Sequence, residues 1–345
     1  MSRAHVLLLG HYPLDPPDRA PAVRIQAMAE SLARRVDLTA VIGTRADRAR
    51  SYPAVMRRGL NRWQGVYVES ASSMMTVADW RFLRAVRRAG IPLAIYVRDY
   101  YQHFPDLYPP QSGRERLMAI GYRWTLAAYR RLATTLFVPT AGLGELVAAG
   151  RAQLLPPAGR VLVAPPGFRR PRQVIYVGAN GPHDGVDLAM AAMGRVIDEA
   201  PDARLVLVLR PGDEPSKPPA YVRVVHASGA ALEPWLWSSA VGLIPRRDTP
   251  YNRLALPVKL FDYLSHGLPV LTTHAADAAR LVVALGAGAA VPDAPAAYAR
   301  ALLDLFGHPD RLAAMGQRAL AAVAEEHNWD RRADTVLKAL GLKPG

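Results

Sequence analysis

The stretch LALPVKLFDYLSHGLPVLTT (254–273) reads as an apolar helix running into a strand, with Lys259 and Asp262 set three residues apart in it. A helix that packs on a sheet buries its apolar face, so a cation in its first turn and a carboxylate one turn on call for a reason. At i and i+3 the two lie on one face near a helix start whose dipole favours anions. The alternative is a solvated helix face with Asp262 as an early-turn charge. Tyr263 either packs under a bound ring or belongs to the core.

Three other places carry chemistry-bearing residues. GANGPHDG (178–185) follows an apolar run and precedes an apolar-periodic one, so N–H groups around Gly178, Asn180 and Gly181 can meet a phosphate. His183 is a donor there or an ordinary loop histidine. Arg246 and Arg247 end the run VGLIPRR. Asp99 in YVRDYYQHFP stands at the C-terminal end of an expected strand, where α/β sheets place their ligands. It can act as a base, cap a helix or pair with Arg98. His11 and His103 are the other candidates for a base.

The elements that position these residues follow from periodicity. HVLLLG (5–10), PAVRIQAMAESLARR (21–35) and VDLTAVIG (36–43) spell strand, helix, strand. Strands are expected at 65–70, 93–99 and 134–140, with helices at 76–89 and 113–133. The basic, proline-rich connector APPGFRRPRQ (164–173) then breaks the pattern, and VIYVGANG (174–181) opens a second series. Alternation of this kind predicts an α/β fold with two mostly parallel sheets. The expected domains are 1–168, 169–328 and a terminal helix in 329–345.

The order of these pieces resembles the GT-B glycosyltransferases of the group 1, family 4-like type. The resemblance is carried by LLLGHYPLDPPDRAPAVRIQAMAESLARRVDLTAVIG, VIYVGANGPHDGVDLAMAAMGRVIDEAPDARLVLV, the 254–273 stretch with its Gly-x-Pro-Val strand, and HPDRLAAMGQRALAAVAEEHNWDRRADTVLKAL. It implies two Rossmann-like domains facing across a cleft, with the last helix crossing back to the first domain. It also implies an acceptor side with Gly10, His11 and Arg24, and a nucleotide-sugar side on which Lys259 holds the diphosphate and Asp262 the ribose. Uridine diphosphate is the nucleotide that family habit favours, with guanosine or thymidine diphosphate as alternatives. Many relatives carry an arginine and a lysine in the 178–185 loop. This chain has Asn180 and His183, which shifts phosphate binding toward Lys259 and Arg246 or Arg247. Retaining relatives carry two glutamates seven apart, and the first would fall on Leu254. That missing acid favours inversion with Asp99 as base. So does a resemblance to the membrane-associated glucuronosyltransferase of xanthan assembly, whose Lys-x-x-Gln-Tyr answers to Lys259 through Tyr263.

Composition narrows the partners. The net charge is +14, and residues 1–170 hold all of it: 25 arginines, no lysine and 11 acids, against 18 bases and 18 acids in 171–345. An arginine-rich composition would load both halves, whereas an anionic partner of one domain would load one. GRERLMAIGYRWTLAAYRRLATTLF (113–137) sets Arg114, Arg116, Arg123, Arg130 and Arg131 beside Trp124, the mixture an interfacial helix uses at an anionic bilayer. A helix packed on its own sheet is the competing reading. A lipid-linked or oligosaccharide acceptor at the inner face of the cell membrane is therefore expected, on a cytoplasmic peripheral protein with no spanning segment. No Asp-x-Asp occurs, so no metal cofactor is expected, and the absence of cysteine excludes disulfides and thiolate sites. Two other classes fit the composition. A GT-B nucleotide-sugar epimerase shares the fold but has no use for a basic face. A nucleic-acid-binding protein explains the charge, but no recognised binding motif is present, and none is expected.

Overall fold

The computed structural model describes residues 3–15, 19–163, 165, 171–274 and 276–343, and the chain forms two compact units, Met1–Pro156 with Trp329–Gly345, and Pro157–Asn328. The boundary expected at 168 lies outside the described residues.

The first unit is built on six parallel strands, β1 (His5–Gly10), β2 (Asp37–Ile42), β3 (Gly65–Glu69), β4 (Leu93–Tyr96), β5 (Thr135–Val138) and β6 (Gln153–Leu154), in the order β2-β1-β3-β4-β5-β6. Helices α1 (Ala20–Ala33), α2 (Arg45–Arg57), α3 (Val77–Arg88), α4 (Gly113–Leu132) and α5 (Ala141–Ala148) connect them. The central strands are apolar except at the ends, His5 of β1 and Glu69 of β3, because both faces are covered, as parallel sheets require. α2 and α3 both start on capping boxes, Thr44 with Asp47 and Thr76 with Asp79. One core face joins Leu7, Val66 and Ile95 to Phe82 of α3 and Tyr122 and Leu126 of α4. A last helix, Trp329–Ala339, belongs to this unit, held to α1 by Arg35 with Asp334 at 2.6 Å and Arg34 with Asp330 at 2.5 Å.

The second unit repeats the plan with β7 (Gln173–Val177), β8 (Arg204–Val208), β9 (Val222–Val225), β10 (Val241–Ile244), β11 (Val270–Thr273) and β12 (Gly288–Val291), in the order β9-β8-β7-β10-β11-β12. Its helices are α6 (Val186–Glu199), α7 (Glu233–Trp237), α8 (Val258–Ser265), α9 (Ala276–Ala284), α10 (Pro295–Gly307) and α11 (Pro309–Glu325), and the terminal helix at Trp329–Ala339 becomes α12. This is the doubly wound Rossmann order, which reverses direction between β7 and β10. One face packs α6 and α10, the other α8, α9 and α11. α8 buries Leu260, Phe261, Tyr263 and Leu264, while Lys259 and Asp262 stay partly open. Two parallel sheets, each flanked by helices, make two Rossmann-like units, as the sequence predicts.

Candidate active site

At the reversal point β7 and β10 pair only through Val174 with Val241 and Ile175 with Gly242, and beyond that they part. Tyr263 fills the parting. Its ring lies on Gly242, where an added Cβ would come within 2.6 Å of it. Its hydroxyl accepts from the Val177 N–H at 2.9 Å and donates to the Leu243 carbonyl at 3.3 Å. With no exposure at all, Tyr263 cannot lie under a nucleotide, so its place is in the core, which corrects the reading of it as a donor contact.

One turn earlier on α8, Lys259 carries its ammonium over the Tyr176 ring, 3.9 Å from the centroid, and against Gly178. Gly178 has φ +146°, a backbone conformation that favours glycine, and a Cβ there would sit 2.5 Å from the Lys259 Nζ and displace the ammonium. Burial, with help from the charges of Arg246 and Arg210 and against that of Asp184, lowers the Lys259 pKa to about 7. Lysine in the first turn also faces the positive end of the helix dipole. Among the described residues it forms no ion pair, and the cations around it outnumber the acids, so the spot carries net positive charge. The Asp262 carboxylate lies apart, near His266, Arg160 and Glu233, and burial raises its pKa to about 6. Glu233 bonds His266 at 2.7 Å and pairs with Arg160, and the Arg160 N–H bonds Ser265, so this side of α8 is a fixed polar wall.

The other donor-side candidates divide. Arg246 keeps only a long bond to Asn252, and its buried Nε has no partner. Arg247 is committed to Asp187 and to Asp293, which removes it from the phosphate set. The 178–185 loop closes on itself: Asp184 accepts from the Gly181 N–H, and Asn180 donates to the Asp213 carbonyl. Its N–H groups are thus less available than the sequence suggests. The His183 carbonyl is pinned by the Arg247 N–H and by Asn252. Arg210 and Tyr176 were not legible as site residues, although a basic residue closing the strand run ARLVLVLRPG was a usable signal.

In the first unit Arg24 is fully buried, donates its Nε to Glu69 at 2.9 and 3.1 Å, and lies 3.6 Å from the Tyr96 ring centroid. Gly10 packs on Ile42 and Ile25. Both are buried within the unit, and the Arg24 Nη1 and Nη2 have no hydrogen-bond partner among the described residues. His11 is buried, and burial with the Arg48 charge lowers its pKa to about 3, so it is a neutral hydrogen-bonding group and a poor base. Asp99 is raised above the usual carboxylate range by burial, opposed by Ser72 and Arg98, and its Oδ1 has no partner. Its carbonyl accepts from Tyr122. His103 is exposed and packs on Tyr100 and Phe104. Arg114, Arg116, Arg123, Arg130 and Arg131 of α4 are exposed, as is Trp124 at 74%, with Leu117 at 62% and Ile120 at 50% on the same face. Tyr122 and Leu126, by contrast, point into the core. Arg130 also donates to the Val147 carbonyl. Among the described residues no group of His, Asp and Glu could hold a metal ion, and no helix is long and apolar enough to cross a membrane.

Residues 171–308 match the family model of glycosyl transferases group 1. No curated protein matches the chain. Among solved structures, sucrose-phosphate synthase from Thermosynechococcus elongatus is similar at 15% identity, with 97% of this chain and 98% of that one covered and a TM-score of 0.69. HepE of Anabaena in complex with UDP-glucose aligns at 11% identity over 98% and 99%, TM-score 0.68. WaaG, a glycosyltransferase involved in lipopolysaccharide biosynthesis, aligns at 16% identity over 96% and 99%, TM-score 0.62.

Tyr263→Phe removes the partner of a buried N–H and is expected to cost about 1–3 kcal/mol. Urea unfolding of the two proteins reads the difference, and coincident transitions would contradict the bridging role.

Proposed function

We propose that this chain, a glycosyltransferase of GT-B fold, binds a nucleoside-diphosphate sugar, of which a UDP-sugar is the first choice, in its second unit and moves the sugar to a glycan or lipid-linked acceptor. The observation that carries the donor site is the Lys259 ammonium at the reversal point, free of any carboxylate partner among the described residues and set beside Gly178, Arg246 and Arg210. Lys259, Arg246 and Arg210 stabilise the leaving diphosphate electrostatically without a divalent ion. Asp262 holds the ribose hydroxyls. Asp99, with its raised pKa, takes the proton of the acceptor hydroxyl as that oxygen bonds to the anomeric carbon. The bond to the diphosphate breaks, and its electron pair leaves with the nucleotide, which inverts the centre. The missing acid at Leu254 and the resemblance to the xanthan-assembly enzyme support inversion.

The exposed face of Leu117, Ile120 and Trp124, bordered by Arg116, Arg123 and Arg130 at intervals of seven, supports attachment to an anionic bilayer at the cytoplasmic membrane surface. Val77 and Trp80 of α3 are exposed as well, and Met74 sits on Gly121 of α4, so the apolar surface continues past one helix.

A saturating UDP-sugar should raise the melting temperature of the wild type by roughly 5–10 °C, and Lys259→Ala should abolish the shift. No shift with any nucleotide in the wild type would overturn the donor site. Asp99→Asn should lower turnover about 10²–10⁴-fold with nucleotide binding intact, and activity should survive EDTA. Full turnover in that variant would contradict the assignment. Sedimentation with anionic vesicles should be strong and that with neutral vesicles weak. Trp124→Ala combined with Arg116→Gln and Arg123→Gln should weaken it, at about 1 kcal/mol per arginine. Equal partitioning between the two vesicle types would sink the membrane reading.

A further inference from the structure

The first unit's sheet reverses between β1 and β3, and there a cavity of about 310 Å³ opens, lined among others by His11, Tyr12, Arg45, Ser72 and Tyr101. Its size is at the low end for ligand pockets and suits one sugar ring. Its floor is electrically closed. Arg48 gives Asp79 two bonds of 3.0 Å and the Gly43 carbonyl a third, and Tyr52 donates to the same carboxylate. Three polar features are left over, one of them the buried Ser72 hydroxyl, which has no hydrogen-bond partner. His11 is 7% exposed, and its Nε2 has no hydrogen-bond partner. Arg45 bonds only the Ser73 hydroxyl and the Met74 carbonyl, both through one nitrogen, and pairs with no carboxylate among the described residues. Ser72 ties the cavity to Asp99, because it lies beside that carboxylate and its own carbonyl is fixed by Gln102 at 2.6 Å.

A buried polar atom facing a cavity is costly unless a ligand satisfies it, and an unpaired guanidinium at the mouth selects an oxyanion by charge-assisted hydrogen bonds. We propose that this cavity takes the acceptor's terminal sugar and selects one bearing an anionic group, a carboxylate or a phosphate, through Arg45, while His11 and Ser72 bind its hydroxyls. The proposal rests on the reading of the first unit as the acceptor side.

Binding is measured on the full chain without donor, by saturation-transfer NMR titration with methyl glucuronide, glucose 6-phosphate and methyl glucoside. Either acidic sugar should bind about tenfold or more tighter than the neutral one, and whichever is stronger tells a carboxylate from a phosphate source. Arg45→Gln, an exposed position, should bring the acidic and neutral affinities within about twofold while UDP still stabilises the protein. His11→Ala should weaken all three sugars alike. Equal binding of acidic and neutral sugars by the wild type, no binding of any of them, or a preference that survives Arg45→Gln would each overturn the proposal. A wild type that binds the acidic sugars but is not stabilised by UDP would contradict the donor reading alone.

Discussion

Where β7 and β10 part, one hydroxyl stands in for a strand. Parallel strands that diverge leave N–H and carbonyl groups that must find other partners if they are to stay buried. Tyr263 supplies both, so α8 is locked into the reversal point. The position of α8 then fixes the rest of the site. Lys259, four residues back, arrives at Gly178, the residue that follows Val177, and Asp262, one residue back, turns toward His266 and Arg160. The glycine at 185 works to the same end, since a Cβ there would lie 1.7 Å from the Pro245 carbonyl and would push the loop off β10.

Two groups stand out among the arginines of the first half. Arg24 and Arg48 lie buried against Glu69 and Asp79, where removing either partner would strand a charge in the core. Those of α4 stand in solvent beside a tryptophan and two aliphatic side chains that no core needs. The asymmetry of charge is therefore partly structural and partly a surface property, and Arg45 belongs to neither group.

The fold was legible because buried parallel strands are continuous apolar runs: VIYV and RLVLV give strands β7 and β8, and helices expected at 76–89 and 113–133 appear at Val77–Arg88 and Gly113–Leu132. The charged pair of α8 was legible for the same reason, since it interrupts an apolar face. What one sequence conceals is the partner of each polar side chain. Arg246 and Arg247 are neighbours of the same type, yet Asp187 and Asp293, 60 and 46 residues away, take only the second. Glu69 answers the Arg24 Nε from 45 residues away, and Tyr263 looks like a ligand contact until β7 and β10 are seen to part.

The central claim is that Lys259 is an anion-binding cation held near neutrality by burial. Because its pKa is lowered from 10.5 to about 7, the empty protein gains stability as pH rises from there toward 10.5, while anion binding, which needs the ammonium, weakens. Calorimetric titration of UDP between about pH 6.5 and about pH 9 should show affinity falling with rising pH, by up to about tenfold per unit, together with proton uptake on binding. Lys259→Met should bind weakly with a flat profile. An affinity in the wild type that does not change across that range, with no proton taken up, would contradict the account.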